Sequence, residues 1–426
     1  MNRKRSAGLK GQHVVVIGNG VAGNSAIAAV RAYDRDAVVT LISREAVPLY
    51  SPCAFYRHLS GEMEKQKLFL KKKSDYRKEK IEVVFGQKAE AVNVKDREVL
   101  VGDKSIPFDK LILAVGSRTL IPPIKGVDKG GVFSLKTMAD LEAIMAWPAS
   151  KVAVIGSGPI GMEAAIAFRK RGLEVSVIEL LSRLLPRLFD EEPAMMLRRI
   201  VEGHGIKVFT EEKVTEILGD GAVKGLATDK RELGCDTVIV AAGVTPNTDL
   251  ARQMGLGLGD LGGIKTDDYM MTSAEGIYAC GDCVESKDII TGQSTLSLLW
   301  HNAKRQGRVS GSNCLGDRRR FIGSFDATSV EMWGTRALSV GRSSACFSRR
   351  GDYDIIERSF DSSYYRLIIE SDRLVGMQLI NKGEHAGLLF SRMLRRDNIV
   401  ELGRVIKDDK LLAMKPWQHW IGQYIS

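Results

Sequence analysis

Short apolar runs alternate with a helical pattern at the beginning of the chain. Val14–Ile17 forms the first run, a helical pattern extends from Asn24 to about Ala32, and Ala37–Ile42 forms the next run. Apolar runs of this length predict buried strands, and strands that alternate with a helix predict a parallel sheet. Another buried strand is predicted within Lys110–Gly116.

The same order of elements recurs in the middle of the chain. A strand is predicted at Lys151–Ile155, a helix from about Met162 to Arg171, and further strands at Glu174–Glu179 and Asp236–Ala242. A strand–helix–strand pattern that occurs twice indicates two copies of one α/β unit.

The pattern changes to alternating polar and apolar positions from about Arg320 onward. Antiparallel strands are predicted within Ser329–Val340, Asp354–Phe360 and Tyr364–Ile369, and a helix from about His385 to Arg396. This part of the chain is therefore predicted to form a separate α+β domain.

Each of the two repeated units contains a glycine-rich turn between its first strand and its helix. In a G-x-G-x-x-G turn the first glycine allows the tight bend, the second lets the backbone approach a diphosphate, and the third lets the helix pack closely on the strand. The diphosphate then lies against the unpaired amides of the helix N-terminus. The residues assigned to the two turns are Gly18, Gly20, Val21, Ala22 and Gly23, and Gly156, Gly158, Pro159, Ile160 and Gly161. The predicted fold class is α/β with two Rossmann-like dinucleotide-binding domains.

An acidic residue about 20 positions after such a turn binds the ribose of the dinucleotide. In the second unit Glu179 stands at the end of the strand, and its carboxylate would repel a 2′-phosphate, so NADH is favoured over NADPH. Arg183 lies nearby, and its positive charge could weaken the preference for NADH. In the first unit Ser43 occupies the corresponding position, and Glu45 is the candidate for the ribose contact.

Composition narrows the classes of function. The 426 residues are 44% hydrophobic and 27% charged, as in a globular protein of about three domains at ~150 residues each. Six cysteines are too few for a secreted disulfide scaffold, and no run approaches the ~20 apolar residues of a membrane span, so we expect a cytoplasmic protein without a membrane partner. No nucleic-acid-binding motif occurs. Cys280 and Cys283 form a CxxC without a second pair, so no metal site is predicted.

The formal net charge is +10, with basic clusters at Lys71–Lys73, Arg318–Arg320 and Arg349–Arg350. These clusters are either an ordinary solvated surface or a docking site for an anionic partner such as an acidic electron carrier.

Three further segments resemble the pyridine nucleotide-disulfide oxidoreductase superfamily. Thr272–Asp282 resembles its second FAD fingerprint, in which a strand delivers an aspartate to the flavin's ribityl chain. Leu113–Ser117 resembles its A-T-G turn, and Val240–Asn247 its G-x-x-P-N turn. The order of these motifs implies that the first unit binds FAD and that the second, inserted in it, binds NAD. The site residues that this resemblance adds are Ala114, Gly116, Gly243, Gly281 and Asp282.

The resemblance also implies the domain boundaries. Residues 1–122 and 246–320 form the FAD-binding domain, residues 123–245 the NAD-binding domain, and residues 321–426 an interface domain that mediates dimerisation in relatives. Ser297–Ala303 resembles the helix whose N-terminus points at the flavin, so Trp300 and Ala303 are assigned to the cofactor, although Trp300 could equally be core packing. Glu163 is expected to help place the nicotinamide.

Cys53 lies in a segment, Tyr50–Gly61, that is similar to the single-cysteine branch of NADH oxidases, NADH peroxidases and coenzyme A-disulfide or persulfide reductases. The resemblance implies a redox-active Cys53 beside the flavin, with Arg57 and His58 as candidate cations. Three departures leave a structural Cys53 open. Tyr56-Arg57 replaces the usual Pro-Tyr, Val21 replaces the peroxidases' histidine, and Phe325–Ser339 lacks the tyrosines of the coenzyme A branch.

These observations predict an FAD-dependent NAD(P)H oxidoreductase that passes electrons to oxygen, a disulfide or persulfide, or a redox protein. The alternative is the NAD-linked flavin subunit of an iron–sulfur complex, for example in a 2-oxoacid dehydrogenase. Tyr364–Ile368 and Arg373–Gly376 resemble the C-terminal domain of nitrite reductase-type flavoproteins and of reductases that serve ferredoxin- or rubredoxin-like carriers. No cluster-binding cysteine spacing occurs here, so such a partner would carry the cluster. The tail with Trp417 and Trp420 could dock such a partner or form a homodimer seam. A non-enzymatic NADH-sensing module is the third possibility.

Overall fold

The computed structural model describes residues 11–349, 351–360, 362–383 and 386–398, and the Trp417–Trp420 tail lies outside them. Short 3₁₀ turns lie at Pro52–Ala54, Lys65–Leu68 and Ser344–Cys346. The helices of the described part are α1 Val21–Tyr33, α2 Phe55–Leu59, α3 Lys73–Lys78, α4 Met138–Ala146, α5 Pro159–Lys170, α6 Glu191–Gly203, α7 Asp249–Gln253, α8 Trp300–Asn313 and α9 Ala386–Arg395.

The strands of the described part are mostly short. They are β1 His13–Ile17, β2 Val38–Ser43, β3 Ile81–Phe85, β4 Ala91–Asn93, β5 Glu98–Val101, β6 Lys104–Pro107, β7 Lys110–Leu113, β8 Ser117–Thr119, β9 Val132–Phe133, β10 Lys151–Ile155, β11 Glu174–Ile178, β12 Ile206–Phe209, β13 Val214–Leu218, β14 Gly225–Thr228, β15 Glu232–Gly234, β16 Thr237–Val240, β17 Val244–Pro246, β18 Ile264–Lys265, β19 Ile277–Ala279, β20 Val284–Lys287, β21 Ser294–Thr295, β22 Ala327–Met332, β23 Thr335–Gly341, β24 Asp354–Ser359, β25 Tyr364–Glu370 and β26 Arg373–Ile380.

The chain divides into two compact units. Within the described residues, the first unit contains 11–51, 65–118 and 244–324, and the second contains 52–64, 119–243 and 325–398. The second unit thus combines the middle of the chain with its C-terminal part and with the short segment around Cys53. The division into three domains with the boundaries given above stays a prediction.

The first unit is built on a five-stranded sheet in the order β19-β7-β1-β2-β3, in which every neighbouring pair is parallel. Along the central strand β1, Val14 and Val16 belong to one core cluster and Val15 and Ile17 to another. Both faces of the sheet are therefore buried, which explains why its strands appear in the sequence as continuous apolar runs.

Helices α1 and α8 approach each other closely in this unit. A Cβ at Gly307 would lie 2.2 Å from the carbonyl oxygen of Ala22, and one at Gly311 would lie 2.1 Å from that of Ala26. Backbone therefore contacts backbone, and glycine is required at both positions of α8. The contact fixes the position of α8 relative to the glycine turn that precedes α1.

The second unit contains a parallel sheet in the order β12-β11-β10-β16-β9 and an antiparallel sheet in the order β22-β23-β26-β25-β24. The predicted run Ser329–Val340 spans the hairpin of β22 and β23, and the other two predicted runs correspond to β24 and β25. β26 was not predicted, and its residues are buried on both faces after the first position. β25 is buried on both faces in the same way and was predicted, so burial on both faces does not by itself explain why β26 was missed.

Both nucleotide-turn helices begin three residues earlier than predicted. Gly20 and Gly158 are the N-cap residues, so α1 starts at Val21 and α5 at Pro159, directly after the second glycine of each turn. Proline is well suited to the first helical position because its φ is already helical and its missing N–H has no intrahelical partner there. The glycine turn and the helix N-terminus are therefore one continuous structure.

We expect Gly311→Ala to destabilise the first unit by about 1–3 kcal/mol, because the added Cβ forces α8 away from the α1 backbone. The matched control is Gly203→Ala in α6, where a Cβ would meet nothing within 4 Å and the better helix propensity of alanine is expected to be neutral or stabilising. Thermal unfolding of both variants checks this. Equal transition temperatures would contradict the close helix contact.

Candidate functional site

The first glycine turn lies at the carboxyl end of β1. Gly18 has φ +118°, and a Cβ there would lie 2.0 Å from the carbonyl oxygen of Ala114, which follows β7. A Cβ at Gly23 would lie 2.0 Å from the carbonyl oxygen of Gly18. A Cβ on Gly20, by contrast, would meet no atom within 4 Å. Two glycines are thus required by protein contacts, and the third leaves open space in front of the first amides of α1.

The second glycine turn has the same geometry at the end of β10. Gly156 has φ +99° with its Cβ position 2.5 Å from the carbonyl oxygen of Ala241, and the Cβ position of Gly161 lies 2.1 Å from the carbonyl oxygen of Gly156. Gly158 again faces open space. The residues of both turns fit a dinucleotide diphosphate, since each leaves an uncovered helix N-terminus with a positive dipole end. Pro159 follows Gly158 and carries no N–H.

Side-chain hydrogen bonds hold the first turn in place. The Asn19 amide Nδ2 donates to the carbonyl of Val47 at 3.0 Å, and its Oδ1 accepts from the Tyr76 hydroxyl at 2.8 Å and from Asn24 Nδ2 at 2.9 Å. Tyr76 is buried, and removal from water raises the pKa of its hydroxyl. Sequence reasoning missed the roles of Asn19 and Tyr76, because Asn19 stands at a variable position of the glycine turn and its partner Tyr76 is 57 residues away in the chain.

The residues predicted to bind the flavin's ribityl chain and diphosphate meet at the same edge of the sheet. Ser117 Oγ, at the start of β8, donates to Asp282 Oδ2 in the loop after β19 at 2.7 Å. The N–H of Gly281, which has φ +82°, donates to Gln306 Oε1 on α8 at 2.7 Å. The carboxyl edge of a parallel sheet is where ligands bind in such folds. Ser117 and Gln306 were not among the predicted residues, although Gly116 and Asp282 were.

Asn247 links the G-x-x-P-N turn to the end of β7. Its N–H donates to the carbonyl of Gly116 and its Nδ2 to that of Val115, both at 2.9 Å. Gly243, four residues earlier, has φ +122°. The asparagine of the motif therefore fixes the backbone that carries Gly116.

The helix expected at the flavin, α8, begins at Trp300 rather than at Ser297. Asn302 Nδ2 donates to Ser297 Oγ at 2.7 Å, and Ala303 is buried against α1 in the core of the first unit. Trp300 is half-buried and lines a surface groove together with Val21. The roles of Trp300 and Ala303 toward a cofactor stay predictions.

The two candidate ribose ligands differ in their surroundings. Glu179 is buried, and its Oε2 accepts from the N–H of Ser157 at 2.8 Å and from Ser157 Oγ at 2.7 Å, while Oε1 accepts from the N–H of Leu181 at 2.8 Å. Glu45 is partly exposed and accepts from the hydroxyl of Tyr50 at 2.9 Å. Glu179 is thus fixed to the second glycine turn, whereas the carboxylate of Glu45 bonds the side chain of Tyr50.

Glu163 lies in the first turn and a half of α5, partly buried. Burial raises the pKa of its carboxyl to about 7, because water is removed from the charged form. Its protonation therefore changes in the physiological range, close to the open helix N-terminus of the second glycine turn.

The cysteines fall into two groups. Cys53, in a 3₁₀ turn before α2, and Cys346 are exposed, whereas the other four are buried. Burial raises the pKa of the Cys283 thiol to about 12 and that of Cys280 as well, so both members of the CxxC are held as unreactive thiols. They are buried on either side of Asp282 in its loop, as expected.

The candidate cations near Cys53 are engaged with other groups. Arg57 Nε donates to the Tyr56 hydroxyl at 3.1 Å, which raises the pKa of the guanidinium, and His58 Nδ1 lies 2.8 Å from the carbonyl oxygen of Met63. The structure therefore gives these side chains structural contacts, and redox activity of Cys53 stays a prediction.

The sequence profile of the family described as pyridine nucleotide-disulphide oxidoreductase matches residues 12–307, which contain both glycine turns and the Asp282 loop. The chain belongs to this family. It is therefore an FAD-dependent NAD(P)H oxidoreductase with a Rossmann-like α/β fold, as the sequence predicted. Among the helices that the structure describes, none combines the length and hydropathy needed to cross a bilayer.

Relatives of this enzyme carry several different names. An NADH oxidase of Methanocaldococcus jannaschii is 35% identical over 72% of this chain and 71% of its own length. The ε subunit of an NADH-dependent phenylglyoxylate dehydrogenase of Aromatoleum evansii is 28% identical over 91% of this chain and 93% of its own length. A nitrite reductase [NAD(P)H] of Bacillus subtilis is 29% identical over 92% of this chain, which spans about half of that protein (48%).

The solved structures that are similar to this chain also carry several different names. An NAD-dependent persulfide reductase of A. fulgidus superposes with a TM-score of 0.88 and 28% identity, covering 92% of this chain and 78% of that one. The water-forming NADH oxidase of Lactobacillus brevis bound to NADH has a TM-score of 0.86 and 26% identity, with 92% of both chains covered. Its engineered NADPH-bound form, a water-forming NADPH oxidase, gives the same values.

We expect Gly20→Ala and Gly158→Ala to separate the two nucleotide sites, because each adds a methyl group only to the open space before one helix. Gly20→Ala should weaken FAD binding about tenfold or more, equal to ~1.4 kcal/mol, and Gly158→Ala should raise KM for NADH by a similar factor while FAD is retained. Flavin absorbance of the purified proteins and steady-state kinetics measure this. Loss of FAD in Gly158→Ala with normal FAD in Gly20→Ala would reverse the assignment.

The raised pKa of Glu163 predicts a pH-dependent stability. Between pH 4.5 and about 7 the folded protein holds a proton there that the unfolded chain releases, so this group's contribution to stability decreases as pH rises. Glu163→Gln should therefore gain about 1–3 kcal/mol relative to wild type on going from pH 5 to pH 8. Urea unfolding at both pH values checks it, with Glu232→Gln, an exposed carboxylate of the same unit, as the variant expected to show no such gain.

Proposed function

We propose that this chain is the NADH-oxidising flavin subunit of an electron-transfer system and that it passes electrons to an acidic iron–sulfur protein. FAD held at the predicted residues would supply the exchange between a hydride from NADH and single electrons, which a partner with one-electron clusters requires. The chain itself contributes the two dinucleotide turns and the groove described below.

A groove on the first unit carries the proposal. Lys304 and Arg308 stand one helical turn apart on α8 and line it, together with Trp300 and Arg319. Among the described residues neither Lys304 nor Arg308 takes part in an ion pair, although Arg319 pairs with Asp317 at 2.6 Å. Burial lowers the pKa of Lys304, and the charge of Arg308 lowers it further. Like charges at this spacing destabilise a helix, and an acidic partner surface would remove that cost.

The relatives support a protein acceptor. The ε subunit of phenylglyoxylate dehydrogenase matches over 91% of this chain and 93% of its own length, and its name describes a subunit of an NADH-dependent enzyme. The net charge of +10 favours association with an acidic partner. Under this proposal the chain acts as a subunit or docks transiently, rather than working as an isolated homodimer.

The preference for NADH is supported by the engineered oxidase. That enzyme was changed at a glycine, at an aspartate, at the two residues after it and at a proline. The same spacing in this chain places Gly161, Glu179, Leu180, Leu181 and Pro186 at these positions. The NADPH-bound form has alanine in place of the acidic residue and arginine after it, whereas this chain keeps a carboxylate followed by leucine. We therefore assign NADH as the donor, which also fits a cytoplasmic location.

A second candidate function is reduction of a disulfide or persulfide through Cys53. The observation that favours it is the exposed thiol of Cys53 in a chain that is similar to persulfide reductases. In that case the Cys53 thiolate would attack the disulfide or persulfide, release one sulfur product as a thiol or sulfide and be left in a mixed disulfide. The electron pair that NADH supplies through FAD would then reduce that mixed disulfide, which frees the second thiol and restores Cys53.

The charge-reversal variant Lys304→Glu/Arg308→Glu tests the proposed function. We expect NADH-dependent reduction of a ferredoxin to lose at least about tenfold in kcat/KM, because two attractive contacts become repulsive, while reduction of neutral menadione and the FAD content stay unchanged. Wild-type ferredoxin reduction should also slow as salt is raised. Ferredoxin reduction that ignores both changes would contradict the docking groove.

Cys53→Ser and its matched control Cys346→Ser, the other exposed cysteine, decide the second candidate. Disulfide or persulfide reduction faster than ferredoxin reduction in the wild type, and abolished only in Cys53→Ser, would establish the thiol mechanism. Unchanged rates with every acceptor would remove it.

A further inference from the structure

We propose that the C-terminal sheet holds the loop between β11 and α6 in the shape that selects NADH, and that Ser339, Asp190 and Gln378 are positioning residues for nucleotide specificity. This inference rests on the proposed assignment of Glu179 to the ribose of NADH. All the contacts involved lie within the second unit.

The loop, residues 180–190, starts beside Glu179 and contains a residue in an unfavourable conformation. Leu185 has φ +50° and is buried, a backbone region that leucine adopts only when surrounding contacts impose it. Its N–H lies 3.2 Å from the carbonyl oxygen and 3.3 Å from Oγ of Ser157. Ser157 also donates twice to Glu179. One residue of the glycine turn therefore ties Glu179 and the loop together.

The loop also controls the cation that a 2′-phosphate would attract. Arg183 Nε donates to the carbonyl of Phe189 at 2.8 Å, and Nη2 donates to that of Pro186 at 3.2 Å. Both bonds exist only while the loop keeps its observed shape. The Arg183 guanidinium thus donates to carbonyls of the loop itself and not to a 2′-phosphate.

Two residues of the C-terminal sheet form hydrogen bonds with the end of this loop that precedes α6. Ser339 Oγ, on β23, donates to the carbonyl of Leu188 at 2.6 Å. Gln378, on β26, accepts from the N–H of Asp190 at 2.9 Å and donates through Nε2 to Asp190 Oδ2 at 3.0 Å. Asp190 is 3% and Gln378 1% exposed, so water cannot replace either partner.

The carboxylate of Asp190 also contacts two further residues of the C-terminal part, Ser344 and Arg366. Its Oδ1 accepts from the N–H and Oγ of Ser344 at 3.1 and 2.6 Å, and its Oδ2 lies 3.1 Å from Arg366 Nε on β25. Arg366 Nη1 in turn bonds Glu192 and Glu357 at 3.0 and 2.8 Å. A carboxylate with this many buried partners has one position, so the residue that ends the loop is fixed.

Ser157 holds one end of this strained loop, and the C-terminal sheet holds the other. We expect the loop to relax when its hydrogen bonds to the sheet are removed. Relaxation would release Arg183 from the loop carbonyls and shift the backbone next to Glu179. NADH binding should then weaken and NADPH binding should weaken less or improve.

Ser339→Ala tests the inference with little risk to folding, because it deletes one hydroxyl. We expect KM for NADH to rise 3- to 10-fold with kcat for menadione reduction within twofold and with FAD retained, and the ratio of kcat/KM for NADH to that for NADPH to fall by a similar factor. Gln378→Ala should give a larger fall in the same ratio. The matched control is Ser329→Ala, the same change at an exposed position of β22 in the same sheet, which should leave the ratio unchanged.

Arg183→Ala in the Ser339→Ala background separates positioning from general loosening. Because the released Arg183 is what favours NADPH in the single variant, the double variant should return the ratio of kcat/KM for NADH to that for NADPH toward the wild-type value. A folded, FAD-loaded Ser339→Ala whose NADH to NADPH ratio equals that of Ser329→Ala would overturn the inference. A wild-type protein that does not oxidise NADH would instead overturn the proposed function on which it rests.

Discussion

The approach of a charged diphosphate to two bare helix N-termini is the constraint on which the rest of this structure depends. No side chain can stand between the phosphates and the amides, so Gly20 and Gly158 must leave open space while their neighbours bend the chain. The bend places a Cβ position of Gly18 at 2.0 Å from the end of β7, which requires a tightly packed parallel sheet. The burial of β1 on both faces and the close contact between α1 and α8 follow from the same requirement.

The sequence predicted these parts because their causes are local. The glycines, the strand before them and the helix after them lie within a few residues of one another, so spacing alone carries the signal. Only the helix starts were wrong, by three residues, since the first helical positions contain the turn's own residues. The profile of the family and the solved relatives confirm the cofactors and the fold class.

The supporting contacts could not be predicted, because their partners are far apart in the chain and follow no periodicity. The Tyr76–Asn19 bond joins residues separated by 57 positions, and the Gln378–Asp190 bonds join residues separated by 188. The sequence likewise gave no signal that the C-terminal sheet belongs to the same compact unit as the middle of the chain. Such contacts decide how firmly a loop is held, and only the folded structure shows them.

Pro159 creates a chemical difference between two turns that are otherwise alike. In the first turn the residue after the second glycine, Val21, offers its N–H, whereas Pro159 in the second turn has none to offer. A hydrogen bond to a charged group contributes about 1.5–3 kcal/mol. The loss of this one donor is therefore expected to lower the affinity of the second turn for a diphosphate roughly 10- to 100-fold. On the prediction that the first turn binds FAD and the second binds NADH, one imino acid would distinguish a resident prosthetic group from a co-substrate that must leave after every turnover.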